Sequence, residues 1–245
     1  MAWRWIFYAV GGFVVAQIVG SALGLVAGLL AGKTSAQLTA IATSVQPPEW
    51  YVVSSLAGIW VGYVGAPWLA SRRAGTRHFF SDLGLRFRPI DVLGVVIGVL
   101  AQLAIGLLYA PFQHDIHDYN APTTRLTGAS HGGGGVAVIV LCTVVLAPFA
   151  EELFFRGLLL KALVRLGTPL RSGSGLLRSA GVIGAVVLDG LLFGLAHAEW
   201  VQLAGLALLG VLLATMSYRT GRLGMNMVTH ASFNLVAVLA VYKVV

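Results

Sequence analysis

Residues 136–160 read VAVIVLCTVVLAPFAEELFFRGLLL, and the only charged positions among them are Glu151, Glu152 and Arg156. An apolar run of this length spans a bilayer as a helix, which needs about 20 residues to cross roughly 30 Å of hydrocarbon. A charge near the middle of such a span costs at least about 2.5 kcal/mol unless a partner, a wet cavity or a function compensates it. The stretch therefore sets the fold class, a membrane fold, and it marks three residues that lipid alone does not explain.

Similar runs recur on both sides of it. Spans are expected at about Ile6 to Ala31, Trp50 to Ala70, Ile90 to Phe112, Val136 to Leu160, Ala180 to His197, Val201 to Ser217 and Met225 to Tyr242. The reading is an all-α, polytopic membrane helix bundle of about seven transmembrane helices, one membrane domain over residues 1–245. Strand-period alternation is absent, and a helix satisfies its own backbone groups in lipid within one segment. The chain is 58% hydrophobic and 10% charged, with a mean hydropathy of +0.86. A soluble domain carries about 25% charged residues, so that class is excluded. The single cysteine, Cys142, lies in an apolar run, which leaves no disulfide framework or cysteine metal site to consider.

The net charge of +7 is not read as nucleic-acid binding, because of where the charge lies. Counted loop by loop, Arg4, Arg72, Arg73, Arg77, Arg86, Arg88, Lys161, Arg165, Arg171, Arg178, Arg219 and Arg222 fall on one side of the spans. Lys33, Arg125 and Lys243 fall on the other. A twelve-to-three bias that alternates with the spans is an orientation signal. It predicts a cytoplasmic amino terminus and a carboxyl terminus on the opposite side.

The first apolar run is too long for the h-region of a signal peptide and is expected to be retained. Its small residues Gly12, Ala16, Gly20, Gly24, Gly28 and Gly32 recur every four positions, a smooth stripe for close helix packing within or between chains. Trp3, Trp5, Trp50, Trp68 and Trp200 fall near predicted span ends and read as interfacial anchors. The loop from Gln113 to Gly135 holds His114, Asp115, His117 and Asp118. That cluster has metal-binding residue types, but it reads as a solvated polar loop and is left out of the site.

Three polar groups occupy later spans. Glu152 and Arg156 are four apart on one helical face and can pair, while Glu151 points about 100° away. Pro148, just before them, is expected to kink the span or to start a fresh helical segment. Asp189, Phe193 and His197 form a second stripe at steps of four, and His230 and Asn234 a third. Each group alone fits structural hydrogen bonding between helices as well as it fits catalysis. Together they supply a base, an orienting group and donors for a developing oxyanion, which is what amide hydrolysis requires. Counting about 1.5 Å per residue places Glu151 and His230 in the cytoplasmic third of the membrane and His197 near the far end of its span. Convergence therefore requires a tilt, a deep central cavity or a fifth helix that starts below the surface.

The motifs E-E-x-x-x-R at Glu151, Glu152 and Arg156, F-x-x-x-H at Phe193 and His197, and H-x-x-x-N at His230 and Asn234, in this order in apolar helices, resemble those of the CAAX protease and bacteriocin-processing (Abi) family of intramembrane endopeptidases. The resemblance covers about residues 136–242, a catalytic core behind the spans and loops of residues 1–135. It implies that Glu151 and His197 activate a water molecule, that His230 and Asn234 stabilise the oxyanion, and that Glu152 and Arg156 orient the site. Two versions of the chemistry stay open. In one a divalent metal such as zinc is held by Glu151, His197 and His230, and in the other the glutamate mechanism is metal-free. The implied partners are the lipid bilayer and a membrane-associated or lipidated peptide or protein, with the site opening toward the cytoplasm and no nucleic acid involved. The competing classes are a proton- or cation-coupled transporter or channel, for which no internal repeat is evident, and a catalytically silent membrane scaffold.

Overall fold

The computed structural model describes residues 2–44, 46–112, 132–168 and 175–242. The cluster of His114, Asp115, His117 and Asp118 lies outside the described residues. The chain is all helical: α1 (Ala2–Leu30), α2 (Ser35–Thr43), α3 (Glu49–Ala74), α4 (Phe79–Leu83), α5 (Pro89–Phe112), α6 (Gly133–Gly167), α7 (Gly175–Ala196), α8 (Leu203–Thr220) and α9 (Gly224–Val241). Among the described residues seven helices, all but α2 and α4, are long and apolar enough to cross a membrane. They match the seven expected spans one for one, and the chain is an integral, multi-pass membrane protein. Large apolar side chains such as Ile18, Leu100, Leu107, Ile183 and Leu208 face outward, where lipid would cover them.

The small-residue stripe of α1 is used within the chain. Gly12, Ala16, Gly20, Gly24 and Gly28 are all buried; Gly58, Gly62 and Ala66 of α3 press against the first three, Ser55 and Tyr51 against Gly24, and Leu38 and Trp50 against Gly28. A Cβ added at Gly58 would stand 2.6 Å from the Cα of Gly20, so the two backbones approach as closely as they do only because both positions lack side chains. Trp5 corrects one expectation. Rather than anchoring at the lipid interface it is buried, its indole N–H donates to the Ala74 carbonyl at 3.0 Å, and Arg165 covers its ring at 4.4 Å. Trp3 and Trp200 are exposed, as anchors should be.

At 35 residues, α6 is the longest span, and it neither breaks nor restarts at Pro148. Helical turns of the wider i→i+5 type occupy Leu141–Leu146, just before the proline, and Leu153–Leu159, just after the two glutamates. The Ala147 N–H reaches back to the Cys142 carbonyl, the i→i+5 spacing of the wide turn that leads into Pro148.

The arginine-rich end of the bundle is tied together by polar contacts. Arg4 donates to the Arg73 carbonyl at 2.8 Å, which places the amino terminus on this side. Lys161 Nζ donates to the Asp82 carbonyl at 2.8 Å, and Arg222 pairs with Asp91. Gly84 ends α4 with a left-handed φ of 77°. A side chain there would also press on the Gly221 carbonyl oxygen, 2.6 Å from an added Cβ. Partial burial pulls the Asp82 carboxyl upward, but hydrogen bonds from Ser71 and Thr76 and the nearby His78 outweigh it and hold its pKa below the usual carboxylate range.

Candidate active site

Glu151 and Glu152 stand on α6 at the start of its second wide turn, Asp189 and Phe193 on α7, His197 just past the end of α7, and His230 and Asn234 on α9. The depth difficulty is resolved by how α6 and α7 pair. Gly167 and Gly181 touch backbone to backbone, with no room for a Cβ on Gly181. From that contact it is sixteen residues back along α6 to Glu151 and sixteen forward along α7 to His197. Both paths climb about 24 Å, so the two side chains arrive at the same level. The extension of α6 to Gly167, beyond the Leu160 expected from sequence, makes this possible.

The polar groups form two layers. In the lower one Arg156 is fully buried between carboxylates, with Nη1 3.0 Å from Glu152 Oε1 and Nε 3.4 Å from Asp189 Oδ2. Its Nη2 donates to the Gly210 carbonyl on α8 at 3.0 Å, and the guanidinium lies over the Phe193 ring at 4.4 Å. Glu152 is also fully buried. Its Oε1 meets His230 Nδ1 at 3.0 Å, and its Oε2 accepts from Asn226 Nδ2 at 3.2 Å. Isolated buried charge is expensive, and this network gives each ionic group a charged or hydrogen-bonding partner.

The upper layer is where chemistry is possible. Glu151 Oε2 lies 3.6 Å from His230 Nε2 and 4.0 Å from His197 Nε2. His197 Nδ1 is tied to the Phe193 carbonyl at 2.8 Å, which turns Nε2 toward Glu151. Asn234 Nδ2 donates to the Thr143 carbonyl at 2.8 Å, fixing the amide one helical turn beyond His230. All four side chains line one cavity of about 460 Å³, within the range of ligand pockets. Exposure falls with depth, from 31% at the His197 side chain and 17% at Glu151 to 3% at His230 and none at Glu152 and Arg156. The cavity ends on the buried ion-pair layer.

The structure thus brings Glu151, Glu152, Arg156, His197 and His230 into one connected cluster, with Asn234 lining the same cavity. It also includes residues to which the sequence reading gave no part. Asn226 binds both Glu152 and the Leu213 carbonyl, the latter at 2.6 Å. Its position four before His230, on the stripe that continues to Asn234, was a legible signal. Asp189 was recognised only as a stripe member, without its partner Arg156. Tyr63 and Gln17, from spans read as generic, line the cavity as well. No local signal in those spans marked them.

The direction of the cavity corrects another expectation. Its lining runs from Tyr63 to Leu56 along α3, from Glu151 to Thr143 along α6 and from His230 to Val238 along α9, and it includes the α7–α8 turn at Glu199 and Gln202. Every one of these paths leads away from the arginine-rich loops, not toward them as the sequence reading had it. As for a metal, Glu151, His197 and His230 are the candidate ligands, but among the described residues no three His, Cys, Asp or Glu side chains are grouped so as to hold an ion. No step below is routed through a metal.

Residues 133–236 match the family model described as Rce1-like, type II CAAX prenyl endopeptidase. The match begins at the start of α6 and ends two residues past Asn234, so it contains every residue of the three motifs, and the resemblance read from them is borne out over that stretch. No curated protein and no solved structure matches the chain.

Proposed function

We propose that this protein is an intramembrane endopeptidase of the CAAX type, which hydrolyses a peptide bond of a membrane-associated or lipidated chain with water activated by Glu151 and His197. The observation that carries the reading is the meeting of Glu151, His197 and His230, from three helices, at the inner end of a cavity that ends on a buried ion-pair layer. A transport pathway would have to continue past Arg156, where exposure is nil.

The 4.0 Å between Glu151 Oε2 and His197 Nε2 is too long for a direct hydrogen bond and short enough for one water molecule to contact both. Glu151 takes a proton from that water as its oxygen bonds to the substrate carbonyl carbon, and the carbonyl π electrons move onto oxygen. Asn234 Nδ2–H and the Nε2–H of a His230 ring that carries a proton on each nitrogen throughout meet the resulting oxyanion. Glu152 Oε1, 3.0 Å from His230 Nδ1, is the counter-charge for that ring. Glu151 then returns its proton to the amide nitrogen as the C–N bond breaks, leaving a new carboxyl end and a new amine. Glu152, Arg156, Asp189 and Asn226 are positioning residues in this scheme.

The test is Glu151→Gln, purified in detergent and assayed on membrane-anchored peptides. The expected loss is about 10²–10⁴-fold in kcat, the usual contribution of a positioned general base, with thermal stability kept because Glu151 borders the cavity. Cleavage undiminished in that variant refutes the proposal.

A further inference from the structure

The catalytic cluster sits nearer the arginine-rich end, His230 being the seventh residue of α9, but the cavity above it lengthens toward the opposite end of the bundle, and this decides which substrates can reach Glu151. The amino terminus and the α3–α5 and α8–α9 connections gather at one end, where Arg4 meets Arg73 and Arg222 meets Asp91. The cavity runs from Glu151 and His230 away from that end, and its lining includes Glu199 and Gln202 of the α7–α8 turn. Basic loops stay on the cytoplasmic face of a membrane protein. With that rule the mouth of the cavity faces away from the cytoplasm.

We infer that the substrate is a peptide segment presented on the non-cytoplasmic face, as part of an exported or outer-leaflet-anchored protein, and that it enters over the α7–α8 turn. The chemistry of the rim fits an extended segment. Glu199 and Gln202 are its polar groups, and Leu56, Leu206 and Val238 supply an apolar wall behind them. The substrate part of this inference rests on the protease reading, and the orientation part does not.

Cysteine accessibility tests it. Cys142 is the only cysteine and is buried, so Cys142→Ser gives a silent background. Into it go Gln202→Cys at the rim, Glu151→Cys at the floor and, as a reference on the opposite face, Arg219→Cys, an exposed position at the end of α8. A membrane-impermeant maleimide is applied to sealed right-side-out and inverted vesicles. Gln202→Cys and Glu151→Cys are expected to label in right-side-out vesicles and Arg219→Cys in inverted ones. Labelling of Glu151→Cys from the same face as Arg219→Cys, labelling of Gln202→Cys in inverted vesicles only, or labelling of neither cavity position overturns the inference. In a second arm a membrane-anchored reporter peptide is displayed on one face at a time, and the parent chain is expected to cut it only on the Gln202 face. Cutting only on the Arg219 face overturns the inference. Absence of Glu151-dependent cutting on both faces sinks the protease reading, and with it the substrate part, while the labelling still decides the orientation.

Discussion

Removing the Arg156 guanidinium probes the buried layer most directly. Arg156→Ala would leave Glu152 and Asp189, both without exposed surface, with no cation, and would free the Gly210 carbonyl of its donor. Deleting one partner of a buried pair costs about 3–5 kcal/mol, because the charge left behind is uncompensated. With about 2–4 °C of melting temperature per kcal/mol for a chain of this size, the expected fall is roughly 6–20 °C. The loss should be electrostatic rather than steric, and a second substitution separates the two. Asp189→Asn removes one of the stranded charges, so Arg156→Ala/Asp189→Asn should be more stable than Arg156→Ala alone, with a coupling of about 0.5–3 kcal/mol. Thermal unfolding of the detergent-solubilised variants, followed by tryptophan fluorescence, reads both quantities. An Arg156→Ala protein that melts with the parent, or a double variant in which the two losses simply add, would refute the view that charge compensation holds this layer together.

Further outcomes follow from individual side chains. Asn234→Ala, which removes a proposed oxyanion donor, should lower kcat by about 10²–10³-fold with little change in KM, and an equal fall in kcat for Leu235→Ala, an exposed neighbour, would argue against a specific role. Ala198, next to His197, holds a left-handed φ of 53°. Ala198→Gly should therefore raise stability slightly by relieving a strain of about 1 kcal/mol, and a lower melting temperature would show that the strain is absent. Asp82 has its folded-state pKa depressed. Its contribution to stability is therefore complete above the ordinary carboxylate pKa and is lost as pH falls through the lower folded value. Asp82→Asn should flatten the acid limb of the stability profile, and an unchanged limb would rule out that contribution.

Much of this protein is legible in its primary structure because lipid is an unforgiving solvent. Each long apolar run must become a helix, so seven runs give seven spans, and the arginine bias says which ends lie together. The costly residues announce themselves for the same reason. Glu151, Glu152, Arg156, His197 and His230 stand out because the surrounding positions are so uniformly apolar, and a step of four predicted the Glu152–Arg156 pair before any coordinates. Asn226 also lay on a readable stripe, but a single amide carries too small a cost in a membrane to draw attention to itself.

What only the tertiary structure decided is how the helices meet, since no local rule fixes that. The contact between Gly167 and Gly181 brings Glu151 and His197 to one depth, an alignment that the predicted span ends could not supply. The helix of α6 continues through Pro148 by way of wide turns, where proline chemistry also allowed a fresh helical start. Tyr63 reaches the cavity because α3 packs on α6 through Tyr63 and Phe154, whose rings stack at 4.5 Å, and Gln17 because α1 lies against α3 along its small-residue stripe. The opening of the cavity away from the arginine-rich loops was likewise invisible in the sequence. Polarity along a chain records which residues avoid lipid, and only the packing of distant segments records which of them share the same water.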